Sequence, residues 1–167
     1  MVPGIRRKRL VEKRVTVPGN LARACEEFNR GLFYECHETL EEIWQQEHGP
    51  VRDLYKGLIQ VAAAFVHITR GNYAGAERLC RTALGYLAPY RGSGALGFDV
   101  DRIASDVEDA HSRIIALGPG RIQEFDLSRR PVYAFDAGAL TGEAVRWRAW
   151  GFDAAGNAET KTIIVAE

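Results

Sequence analysis

A carboxylate beside a histidine fixes the imidazole tautomer and raises its basicity, which general-base catalysis and metal ligation both exploit. The segment Glu35-Cys36-His37-Glu38-Thr39-Leu40-Glu41 offers that pairing, with Glu41 four residues after His37. Residues four apart are neighbours on a helix, so His37 and Glu41 share the border of the apolar stripe of Phe33, Cys36, Leu40, Ile43 and Trp44. Glu38 lies beside them. Lys56, Gln60, His67 and Arg70 are the polar residues of a later segment that is otherwise apolar almost all round. If that polar stripe faces the first, then His37, Glu38, Glu41, Gln60 and His67 converge, with Trp44 one turn beyond Glu41 as a wall for a pocket.

Two readings of that convergence stand. Buried polar groups must be satisfied, and a Glu-His-Gln network joining two packed helices does so without chemistry. The other reading has His37, Glu38 and Glu41 as catalytic groups and Gln60, His67 and Trp44 as ligand contacts, because perturbed carboxylate and histidine pairs enrich at functional sites. A structural network predicts that Glu41→Gln costs about 1–3 kcal/mol. No cofactor is expected, and the metal is unassigned. His37-Glu38-x-x-Glu41 lacks the second histidine of the zinc protease motif, and a di-iron bundle needs Glu-x-x-His twice where only Glu108-x-x-His111 fits, so a divalent metal is the narrower alternative. Gly-x-Ser-x-Gly, a phosphate-binding loop and a dinucleotide fingerprint are all missing.

The elements that must position these residues follow from periodicity. Asn20 suits an N-cap for a first helix carrying Leu21, Ala24, Cys25 and Phe28, and Gly31 suits its left-handed stop. A second helix is predicted from about 32 to 47, ended by Gly49-Pro50, and a third from about 51 to 70 as the buried centre. Gly71 then stops the third, Asn72 caps a fourth through Ala88, and Asp99 caps a fifth that Gly118-Pro119-Gly120 ends. The glycines at 92, 94 and 97 read as a flexible connection. Arg30-Gly31-Leu32-Phe33 and Arg70-Gly71-Asn72-Tyr73 echo each other at a shift of 40, like a tetratricopeptide-type hairpin used twice.

After Arg121 the period changes from 3.6 to 2. Val132 to Phe135, Val145 to Phe152 and Ala158 to Val165 alternate as strands do, and Asp153 to Asn157 is a turn that resembles the last hairpin of bacterial immunoglobulin-like repeats. The fold class is therefore mainly α: a compact multihelical bundle of about five helices with two central helices, plus a short C-terminal β-hairpin appendage. The domain organisation is a basic N-terminal arm over 1–19, a helical bundle over 20–120 and the β appendage over 121–167. Because Trp147 and Trp150 must be buried, the segment 131–165 is expected on the bundle or against a second copy, which makes a homo-oligomer through the tail the partner expectation.

With 22 basic and 22 acidic side chains the net charge is zero, so nucleic acid is not an expected partner of the whole molecule. Arg6, Arg7, Lys8, Arg9, Lys13 and Arg14 outnumber Glu12 locally, but no aromatics interleave them. No secretory core follows them, and the most apolar stretch, 58–68, is about half of the ~20 residues that a bilayer needs. Cys25, Cys36 and Cys80 fall on apolar faces with no C-x-x-C pair, which fits reduced thiols and a cytoplasmic location.

Phe28-Asn29-Arg30-Gly31, Glu35-x-His37-Glu38-x-Leu40-Glu41-x-x-Trp44, Gly57-Leu58-Ile59-Gln60 and Arg70-Gly71-Asn72-Tyr73-x-Gly75-Ala76 occur in that order. On those four motifs the chain resembles, over about residues 21–90, the bacterial and archaeal family known as domain of unknown function 309. The resemblance implies a small multihelical bundle with two central helices and no particular activity, and the β tail departs from the family's usual short form. An uncharacterised structural or small-ligand-binding domain is the expectation, with a hydrolase-like or metal-dependent enzyme using His37 and Glu41 and a tetratricopeptide-like interaction scaffold as the alternatives.

Overall fold

The computed structural model describes residues 10–17, 20–93, 95–133 and 159–166. Five α-helices account for most of them: α1 (Leu21–Asn29), α2 (Phe33–Gln46), α3 (Arg52–Thr69), α4 (Tyr73–Leu87) and α5 (Val100–Leu117). Each packs on the next, and α3 lies between α2 and α4. Its Leu54, Leu58, Val61, Ala62, Ala64 and Phe65 are fully buried, as an all-round apolar helix requires.

The two Arg-Gly turns are the same device. Gly31 and Gly71 sit at φ of 81° and 70°, a region that costs a side chain but not glycine. In the first turn the Leu32 N–H donates to the Glu27 carbonyl and Gly31 to Phe28; in the second, Asn72 donates to His67 and Gly71 to Ile68. Both therefore close as Schellman motifs, with every donor and acceptor displaced by 40 residues. The caps differ. Asn72 Oδ1 accepts from Gly75 N at 3.0 Å, and Asp99 Oδ1 accepts from Arg102 N at 3.0 Å, whereas Asn20 occupies its N-cap position without a side-chain bond.

The Gly-rich stretch after α4 is not the flexible connection its glycines suggest. Ser93, Ala95, Leu96 and Phe98 are buried, the Tyr90 hydroxyl donates to the Pro50 carbonyl at 2.6 Å, and Asp101 accepts from Gly92 N at 2.8 Å and from Arg91 Nε at 3.0 Å. Apolar side chains between the glycines pull the loop into the core. Leu96 tolerates a φ of 53° there because burial compensates the local cost.

Nor does the bundle end at Gly120. Ile122, Phe125 and Tyr133 are buried, Phe125 meets Phe65 edge-on at 5.9 Å, and Arg113 lies over the Phe125 ring. The segment 121–133, expected within the appendage, is a strap across the helices. The C-terminal hairpin is not supported: Val132 and Tyr133 lack strand structure, and the expected strand over 145–152, its turn and both tryptophans lie outside the described residues. Glu159–Ala166 is extended, but its antiparallel partner is Leu10–Val17, with Val17 opposite Glu159. Among the described residues, no helix is long and apolar enough to cross a membrane.

The contact of α3 with α4 depends on Gly57. A Cβ there would stand 2.8 Å from Leu87 Cδ2 and 3.3 Å from Tyr86 Cβ, so Leu87 would have to shift and Tyr86 to give way. Overpacking costs about 1–3 kcal/mol, more than the roughly 1 kcal/mol that alanine gains over glycine within a helix. Gly57→Ala should therefore lower the denaturant midpoint, and a raised midpoint would mean that α4 yields without cost.

Candidate functional site

Two contacts fix how α2 and α3 run past each other. Phe33 and Phe65 meet at 5.2 Å near one end, and Lys56 Nζ lies 4.4 Å from the Trp44 ring near the other. The helices are thus antiparallel with Trp44 level with Lys56. Glu41 lies one turn before Trp44, and Gln60 one turn after Lys56. In antiparallel helices those steps go the same way, so Glu41 and Gln60 are level, and His37 falls a further turn along, level with Ala63 and Ala64.

The side chains do not form the converged network. His37 Nδ1 lies 3.2 Å from Glu38 Oε1, a partly exposed pair at the helix surface. His67 turns away: Asn72 Nδ2 donates to its Nδ1 at 3.0 Å, against the backbone of Gly75. An adjacent carboxylate and an amide five residues on reach these imidazoles more easily than groups on the opposite helix do. Trp44 does not wall an open pocket either, because Arg52, at 4.0 Å, and Lys56 both lie over its ring. Arg52 also donates to the Trp44 and Glu47 carbonyls, at 2.9 and 2.5 Å, which closes the C-terminus of α2.

What α2 and α3 do carry is one buried acceptor each. Glu41 Oε2 and Gln60 Oε1 are each buried with no hydrogen-bond partner among the described residues. A third such atom, the Tyr55 hydroxyl, lies on another side of α3, where burial, then the charge of Glu47, raises its pKa well above the ordinary tyrosine value. An unpartnered buried acceptor costs about 1–3 kcal/mol, and α2 and α3 each carry one.

Other chemistry is closed off at particular residues. Burial raises the thiols of all three cysteines, that of Cys80 to about 12, which keeps them protonated and poor nucleophiles. Among the described residues no three His, Cys, Asp or Glu side chains come together in a metal-binding arrangement. Glu108 instead pairs with Arg91 at 2.9 Å, and His111 with Glu77 at 3.3 Å. An open groove of about 710 Å³ between the start of α4 and Ile115, lined by Tyr73, Glu77, Arg78 and Arg81, is separate from the acceptor pair.

The family model described as Domain of unknown function (DUF309) matches residues 21–79, which hold all four motifs and every residue of the α2–α3 seam. The chain is 37% identical over 84 residues to "Uncharacterized protein YpuF" of Bacillus subtilis (strain 168), an alignment of 49% of this chain and 48% of that protein. The chain thus spans about half the length of this curated relative. No solved structure matches the chain significantly.

His67 makes the electrostatics testable. Desolvation, then Arg70 and Arg78, lower its pKa below 6.5, and the Asn72 amide donates to its unprotonated nitrogen. The unfolded chain therefore binds the proton more readily, so stability rises with pH between the lowered folded value and 6.5 and falls as the medium is acidified through that window. His67→Gln should remove this part of the acid sensitivity. A His67 resonance titrating above 6.5 would contradict the assignment.

Proposed function

We propose that the helical unit binds a small ligand carrying N–H donors, an ammonium, guanidinium or amide group, at the seam of α2 and α3. The observation that carries the reading is the level pair of buried acceptors, Glu41 Oε2 and Gln60 Oε1, with no donor of the protein aimed at either. A carboxylate and an amide oxygen together favour a cationic donor over a neutral one. His37 and Glu38, one turn away, form the rim rather than the reacting pair, since each satisfies the other. This reading supports a binding domain over a hydrolase-like enzyme.

The interaction-scaffold reading has its own support in the two Schellman turns displaced by 40 residues, the backbone signature of a repeated helical hairpin. Two units are fewer than the roughly three that such arrays need, so the repeat calls for another cover.

Methylammonium and methylguanidinium chlorides serve as probes, because they carry the proposed donor groups and little else. At no more than about 1.5 kcal/mol per heavy atom, methylammonium should bind with Kd in the millimolar range or weaker, and the larger methylguanidinium no tighter than the micromolar range. The side-chain amide resonances of Gln60 should shift on addition. Glu41→Gln should abolish the shift while raising Tm, since it removes a charged oxygen that lacks a partner, which reverses the loss of about 1–3 kcal/mol that a satisfied network predicts. An unmoved Gln60 amide, or an equal shift in Glu41→Gln, would remove the site.

A further inference from the structure

Residues 130–133 sit in the helical unit as a bound peptide sits in a receptor. Asn29, the last residue of α1, holds the backbone of Tyr133 at both ends: its Nδ2 donates to the Tyr133 carbonyl at 2.9 Å, and its Oδ1 accepts from Tyr133 N at 2.8 Å. One side-chain amide thus takes the place of a β-ladder neighbour, a clamp that reads the backbone of any extended chain. The Tyr133 ring lies flat on Phe28, centroids 3.9 Å apart and planes within 6°, and its hydroxyl donates to the Leu58 carbonyl at 2.7 Å in the buried interior. That part reads the side chain.

The rest of the segment follows the alternation of an extended ligand. Pro131 is buried, Val132 is 49% exposed and Tyr133 is 1% exposed. Arg130 donates to the Asn29 and Leu127 carbonyls and lies over Phe33. All the groups that receive the segment, Phe28, Asn29, Phe33 and Leu58, belong to the stretch that matches the family model, and the segment itself lies outside it. The receiving groups and the segment they hold thus lie in different parts of the chain.

We infer that the α1–α3 face is a docking site for an extended peptide of the form Arg-Pro-x-Tyr, and that residues 130–133 occupy it in cis. Tethering supplies the plug at a local concentration of about millimolar or more, so a free peptide does not compete until the plug is weakened. The tyrosine enters as a neutral phenol. Its hydroxyl meets a carbonyl, and a phosphate there would be desolvated against an acceptor with no cation to pair it.

The test uses the full chain with Arg130→Ala and Tyr133→Ala together and a fluorescent peptide of residues 128–134. The peptide should bind the double variant and raise its Tm, but should not bind wild type. Replacing the peptide's tyrosine by alanine should weaken binding roughly thirtyfold, phosphotyrosine should abolish it, and adding Asn29→Ala to the receptor should remove it. Should the double variant fail to fold, Tyr133→Ala alone, which keeps the Arg130 contacts and vacates the ring's cavity, takes its place. Equal binding of the tyrosine, alanine and phosphotyrosine peptides, or none to a folded variant, overturns the proposal. So does failure of both variants to fold, because residues 130–133 would then be core and not a ligand.

Discussion

Everything else in the bundle is arranged to cover α3. A helix that is apolar around nearly its whole circumference has no stable face for water, so each side must be met by another element. Helix α2 covers one side through Phe33 against Phe65, α4 covers another through the close approach at Gly57, and the strap covers what remains through Phe125 and Tyr133. The third cover is the least expected, because Phe28 and Phe65 are met there by a segment outside the helices. The Tyr133 ring stacks on Phe28 there, and Phe125 meets Phe65 edge-on.

That division explains which parts of the molecule were legible in the sequence. The helices were, because apolar residues recurring every three or four positions and glycines at 31 and 71 report local geometry, and local geometry decides helices. The strap was not. Ile122, Phe125, Pro131 and Tyr133 follow no period, and the burial of Phe125 and Tyr133 depends on residues about 60 to 100 positions earlier. Asn29 was legible as part of a motif and illegible as a clamp, since its partner is the backbone of Tyr133 and a backbone carries no sequence signal. The candidate site was readable as a face but not as a set of contacts: helical spacing places His37, Glu41, Gln60 and His67 along the seam, while rotamers send His37 to Glu38 and His67 to Asn72.

The proposed function rests on the residues left behind at the seam for that reason. Had the imidazoles closed on Glu41 and Gln60, the seam would be a satisfied network and nothing more. With the histidines satisfied locally, the two acceptors stay buried and unpartnered, a cost that packing could have avoided with apolar side chains of similar volume. That cost is what supports the proposed ligand site.

The two Arg-Gly turns show how one backbone motif serves different ends. At the first turn the residue before the arginine is Asn29, which grips Tyr133; at the second the matching residue is Thr69, whose hydroxyl donates back to the Val66 carbonyl of its own helix. The strap passes over both. A Cβ on Gly71 would stand 3.0 Å from the Gln123 amide, while ten residues later Tyr133 reaches the end of α1 beside Gly31. A two-hairpin unit is too short to bury its own flank, and stacked arrays solve that with a further repeat. Here the strap runs from the second turn to the first and closes the flank along both hairpins. The groups it covers are then the ones a neighbouring repeat or a bound chain would meet, and for that reason the surface that completes the fold is also the surface best formed to hold a peptide.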